Sequence, residues 1–184
     1  MKKPPSKRTA QLTKLMHRYV ATGAVGASTG RRMIPAGRVK HIRKFLSRLR
    51  IEQFSHPERF HVALDKATDR LTRHKPKCVR GWGAARKFIN IFLRNATYNS
   101  RLRREYNLSR IERLLEIPLD RFVADGLRGE REGRSLPDRF VGVIHVNPEL
   151  NEHYQAVATA VAQRKGTRRV HLDLVYWRRE KKRG

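Results

Sequence analysis

Apolar residues recur at helical spacing through most of the chain. Val39, Ile42, Phe45, Leu46 and Leu49 form a stripe opposed by Lys40, Arg43, Lys44, Arg48 and Arg50. That is the pattern of an amphipathic helix with one packed face and one basic face. Leu12, Leu15, Met16 and Tyr19 predict a short helix over 10–21. After the His56-Pro57 break, Phe60, Ala63, Leu64, Ala67 and Leu71 predict a helix from about Glu58 to Arg73, closed by Pro76. The strongest helical stretch runs from Ala84 to about Asn99. It places Phe88, Ile91, Phe92 and Ala96 on one face and Arg86, Arg94 and Asn95 off it. Ile111, Leu114 and Leu115 predict a helix near 109–116, with Ser109 and Glu112 spaced as a capping box. Leu119, Phe122, Val123 and Leu127 predict another after Pro118. Leu150, Tyr154, Val157, Ala158 and Val161 predict one opened by Pro148 and stopped at Gly166. Arg139 to Val146 is short and β-branched, a strand or a buried helical segment. Val170, Leu172, Leu174 and Tyr176 alternate and read locally as a strand. No internal repeat is visible, and the sum is a mostly α domain.

The connections divide the chain. Residues 1–9 read as a disordered basic arm, and residues 22–38, rich in Gly and small side chains, as a loop. No Gly-Lys-Ser/Thr follows these glycines, so they do not form a P-loop. The expected organisation is an arm, short helix and Gly-rich loop over 1–37, then a helical domain over 38–184. A chain of 184 residues can bury a core without disulfides or metal.

Charge then decides the class of partner. The net charge is +27, and a domain this basic meets polyanions: DNA, RNA or an anionic membrane surface. Its binding should weaken steeply with salt, because neutralised phosphates release counterions. Cys78 is the sole cysteine, so no internal disulfide or Cys-based cluster site exists, and a reducing compartment fits. The eight histidines show no metal-ligand spacing, and no metal or cofactor is expected. No apolar run approaches the ~18–20 residues of a membrane span. The start of the chain is basic, contains Ser and Thr, and has no acidic residue before Glu52. Without an apolar core it does not read as a secretory signal, although an organelle transit peptide has the same composition. The expectation is a monomer in the cytoplasm or nucleoid, with organelle import as the other reading.

Chemistry concentrates in RGWGAARKFINIFLRNA, residues 80–96. Two glycines around one residue, followed at once by a helix, make a tight hairpin whose backbone can approach a neighbour closely. The exposed N–H groups and dipole of that helix start suit a phosphate, with Arg80 and Arg86 flanking. A plain turn between helices is the other reading. Trp82 can stack on a base, wedge into a duplex or simply pack.

The stretch resembles the helix-hairpin-helix DNA glycosylases, the superfamily of endonuclease III and the 8-oxoguanine glycosylases. Gly81-Trp82-Gly83 looks like their hairpin, and Arg86 to Ile91 looks like its helix. Ile117-Pro118-Leu119-Asp120 resembles the segment carrying their catalytic aspartate. Leu172-Asp173-Leu174-Val175-Tyr176-Trp177 resembles the close of some 8-oxoguanine glycosylases. The resemblance implies a helix-hairpin-helix fold and a base-excision repair activity, DNA being the partner over RNA. Lys87 would be the amine nucleophile of a glycosylase with abasic-site lyase activity. Asp120 would stabilise charge on the sugar or help activate that nucleophile. Arg80, Gly81, Trp82, Gly83, Arg86 and Asn90 would contact DNA. Endonuclease III's cluster cysteines are absent, which excludes that subgroup. In the family the lysine follows the second glycine by two positions. Here that position is Ala85, and Lys87 stands four after Gly83. Either the hairpin is longer, or Lys87 points elsewhere and the protein is not a lyase. A non-catalytic nucleic-acid-binding protein, RNA- or ribosome-associated, is the alternative function.

Overall fold

Eight α-helices build the described part of the chain, in a computed structural model that covers residues 7–26, 30 and 32–179, with backbone alone at 178 and 179. They are α1 (Lys7–Gly23), α2 (Val39–Ser47), α3 (Phe60–Thr72), α4 (Trp82–Tyr98), α5 (Ser100–Glu105), α6 (Arg121–Arg128), α7 (Pro148–Arg164) and α8 (Leu172–Arg179). Short 3-10 turns link them, and no strand occurs among the described residues. The mostly α expectation therefore holds.

The order of burial explains the architecture. α4 carries apolar residues nearly all round, so it must be covered on every side. It packs against α1, α3, α5, α7 and the turn Val143–His145. Two apolar clusters result. The first joins α1 to α5, with Phe54, Phe60, Phe88 and Phe92 fully buried. The second is formed by α6, α7 and α8 around Val123, Leu127, Tyr154, Val161 and Leu172. Residues 115–119 are buried between α4 and α7 and carry the chain from the first cluster to the second.

Several expectations change. Lys7–Thr9 belong to α1 and not to a disordered arm, because Arg101 of α5 donates to the Thr9 carbonyl (2.8 Å) and the Thr13 hydroxyl (3.1 Å). The arm reading of residues 1–6 lies outside the described residues. The Gly-rich segment is turn and loop where it is described, as expected, but part of it enters the core. Ala24, Val25 and Met33 are buried in the first cluster, and Arg43 donates to the Val25 carbonyl at 2.8 Å. The described part of the first 37 residues thus shares one core with α2 to α5.

Residues 108–114 form a 3-10 turn without the expected capping box. Asn107 takes a left-handed conformation ahead of it, and Glu112 is drawn away to Arg103 at 2.6 Å. Arg139–Val146 is neither strand nor buried helix but a loop holding one 3-10 turn. Val170–Tyr176 is a 3-10 turn followed by α8. Its alternation lacked a partner strand, and of its apolar residues Leu174 stays 53% exposed. At Gly166, with φ +62°, α7 ends as the sequence indicates.

Candidate active site

Two adjacent stripes of α4 have different duties. Trp82, Arg86 and Asn90, spaced by four, face the space between α3 and α7, where Trp82 and Arg86 line a cavity of about 460 Å³. Lys87, Ile91 and Arg94, at i, i+4 and i+7, face an open cavity.

The first stripe is an ionic network. Glu116 accepts from Arg86 twice, Nε at 2.8 Å and a terminal nitrogen at 2.7 Å, and from Asn90 at 2.9 Å and Asn151 at 3.3 Å. Arg86 also reaches Asp65 (2.7 Å) and Thr68 (3.2 Å), and its guanidinium lies 5.1 Å from the centre of the Trp82 ring. Burial alone would raise the Glu116 carboxyl. The bidentate bond and charge of Arg86 overcome that and hold it below the usual carboxylate range. Arg86 is raised by the same pairing, against its own burial. Arg86 and Asn90, expected at a DNA surface, are instead buried, and their donors serve Glu116 and, from Arg86, also Asp65 and Thr68.

The glycines do permit a close approach, but to the protein's own backbone. Gly81 has φ +92°, and a Cβ there would lie 2.6 Å from the Ile144 carbonyl oxygen. A Cβ on Gly83 would strike the Val143 carbonyl and Val146. Loop 143–146 thus lies against the start of α4, where a phosphate was expected. Trp82 is half-buried, and Arg80 is exposed.

The second stripe carries the chemistry. Lys87 Nζ donates to Asp120 Oδ2 at 3.1 Å, with 6% of the lysine side chain and 20% of the aspartate exposed. Asp120 Oδ1 accepts from the Val123 N–H at 3.0 Å as the N-cap of α6, so the carboxylate is held on both oxygens. Burial pushes the Lys87 ammonium below its ordinary pKa and Arg94 pushes the same way, against the pull of Asp120. The pair sits on the wall of a cavity of about 330 Å³ that also takes in Ile91, Arg94, Pro118, Asp173, Leu174 and Trp177. Arg94 pairs with Asp173, closing one end.

Asp120 is positioned by the segment before it. Gln155 of α7 accepts from the Ile117 N–H (3.0 Å) and donates to the Ile117 carbonyl (2.9 Å). Arg169 donates to the carbonyls of Leu114 (2.7 Å) and Leu115 (2.9 Å). The extended stretch is thereby fixed to α7 and to the turn before α8, and Lys87 and Asp120, 33 positions apart, close to one hydrogen bond.

Sequence reasoning brings Lys87 and Asp120 forward as a pair, and the structure joins them. It missed Arg94 as a cavity residue and Glu116 as the partner of Arg86. The i, i+4, i+7 register from Lys87 to Arg94 was the available signal for the first. Cys78 is buried, and burial pushes its thiol up, away from reactivity. Among the described residues no group of three or more His, Cys, Asp or Glu is placed to hold a metal ion. No helix among them is long and apolar enough to cross a membrane. Compared with family models, curated proteins and solved structures, the chain matches none.

Proposed function

We propose that this chain is a DNA glycosylase with abasic-site lyase activity, using Lys87 as nucleophile and Asp120 as its partner. The observation that carries the reading is a buried lysine 3.1 Å from a carboxylate on the wall of a cavity of about 330 Å³. A buried ammonium with a depressed pKa gives up its proton more readily than one in water, which is what an amine nucleophile needs. The cavity is at the small end of ligand pockets, typically ~300–1,000 Å³, suited to one extruded nucleotide.

In this mechanism the Lys87 amine forms a bond to the sugar C1′ as the bond from C1′ to the base breaks, and the base leaves with the electron pair and takes up a proton. Asp120, its carboxylate beside the sugar, offsets the positive charge that develops there. Ring opening leaves a Schiff base between Lys87 and the sugar, and elimination from it cuts the strand. The large positive charge holds the polyanion while the nucleotide is out of the stack. The protein acts as a monomer, in the cytoplasm or nucleoid.

The test is borohydride trapping on duplexes carrying 8-oxoguanine, uracil or an abasic site. A covalent adduct that disappears with Lys87→Ala and weakens with Asp120→Asn is the expected outcome. The net charge of +27 favours a second reading, a nucleic-acid-binding protein without chemistry. Salt-sensitive binding with no adduct on any of the three substrates, and no base released from them, would remove the lyase chemistry and make the binding role the leading reading.

A further inference from the structure

A larger cavity, of about 740 Å³, opens between α2 and the end of α3. Its walls are cationic: Lys44 and Arg48 from α2, Arg70 and Arg73 from α3 and the residue after it, and Lys75 beyond. Asp69 is the one carboxylate in the lining, and Arg73 engages it at 3.5 Å. The groove therefore keeps a strong excess of positive charge.

Its inner surface is aromatic. Phe45 meets His74 edge-on, with ring centres 5.9 Å apart, and the Arg70 guanidinium lies 5.8 Å from the Phe45 ring centre. His41 presents a buried Nδ1 that has no hydrogen-bond partner, a group that normally finds one when kept from water.

We infer that this groove holds the phosphodiester backbone of a nucleic-acid strand, as a second binding site besides the Lys87–Asp120 cavity. The inference rests on the nucleic-acid part of the proposed function and not on its chemistry. Cations on both walls match a chain of phosphates, and exposed Arg and Lys contacts of this kind position a duplex without reading its sequence. The half-buried Phe45 and His74 rings offer faces to a sugar or base. A membrane-binding surface is built the other way, with apolar side chains projecting past the cations. Here Phe45 is recessed, Leu49 is buried, and the cations stand exposed around them.

The test uses the full chain. A triple variant, Lys44→Gln, Arg48→Gln and Lys75→Gln, removes three exposed groove cations. A control triple, Arg104→Gln, Arg110→Gln and Arg113→Gln, removes three exposed cations that do not line the groove. Anisotropy of a labelled duplex DNA is read from 50 to 300 mM salt, with thermal unfolding of each variant alongside. If each groove cation neutralises one phosphate, the slope of log K against log salt becomes shallower by about 0.9 per contact, or about 2.7 for the three. Affinity at low salt falls at least tenfold, and the control changes by less. Arg48→Lys, which keeps the charge, retains the wild-type slope.

Equal slopes for the groove and control variants would overturn the proposal. So would unchanged DNA binding with lost binding to phosphatidylserine vesicles, which would assign the groove to membranes. The glycosylase reading fails separately. A chain that shows the slope change but traps no adduct keeps the groove site and loses the chemistry. A groove variant that shows the slope change and traps normally at saturating protein keeps both.

Discussion

Replacing Glu116 with Gln tests the network that seats α4 beneath the candidate site. The carboxylate receives four donors on its two oxygens, two of them from Arg86. Gln is the same size, but one acceptor becomes a donor and meets the nitrogens of Arg86 or Asn90. The substitution also leaves the Arg86 guanidinium without its buried counter-charge. Asp65, the other partner, has a side chain 62% exposed and replaces little of it. Breaking one side of a buried pair costs ~3–5 kcal/mol. Because Asp65 and Thr68 keep part of Arg86 satisfied, we take the lower end, about 3 kcal/mol. For a chain of this length that corresponds to a fall of roughly 6–12 °C in Tm.

The pH dependence separates charge from shape. The folded pKa of Glu116 lies below its ordinary value of 4.5, so the folded state binds that proton less tightly than the unfolded state. The stabilisation is complete above about 4.5 and is lost as pH falls from there through the folded value. Urea unfolding followed by circular dichroism at pH 7, 5.5, 4 and 3 should show a gap between wild type and Glu116→Gln. That gap should hold to about pH 4.5 and narrow below it. A loss under 1 kcal/mol at pH 7, or a gap unchanged down to pH 3, would refute the argument that the ion pair carries the stability.

Three further outcomes follow from the same geometry. Gly83→Ala drives a methyl into the Val143 carbonyl and Val146 and should destabilise by about 2–3 kcal/mol; a neutral effect in thermal unfolding would show that loop 143–146 is not held there. Gln155→Leu leaves the Ile117 N–H and carbonyl buried and unpaired, at ~1–3 kcal/mol each. It should also slow trapping by Lys87, and trapping at the wild-type rate would show that this anchor does not position Asp120. Trapping itself should rise with pH and level off below 10.5, the ordinary value for a lysine. Arg94→Gln removes a cation that depresses Lys87, so it should move that rise to higher pH; an unmoved profile, read as single-turnover rates from pH 6 to 10, would remove Arg94 from the site.

Most helices were legible because their apolar residues repeat with the helical period, and Pro57, Pro148 and Gly166 mark where they start or stop. The misread segments share a cause. Residues 139–146 and 170–176 are short and rich in β-branched or alternating residues. Local pattern could not say whether another strand would be there to pair with them. Among the described residues none is, so one became a loop over Gly81 and Gly83 and the other turned into α8. Ser109 and Glu112 have the spacing of a cap, yet a stronger partner, Arg103, took Glu112.

By itself the sequence determined a basic, mostly helical chain with a strong helix from Ala84 to about Asn99, while Lys87 and Asp120 came forward through the resemblance to the glycosylases. The first two depend on periodicity and side-chain type, which are local. Tertiary structure alone decided that Arg86 turns to Glu116, 30 positions away, while its neighbour Lys87 turns to Asp120, 33 positions away. Adjacent helical residues point about 100° apart, so each meets whatever distant segment the fold packs on its side. The glycines illustrate the same division. Their spacing announced a close backbone approach, but only the packing of 143–146 could say that the approaching backbone is the protein's own.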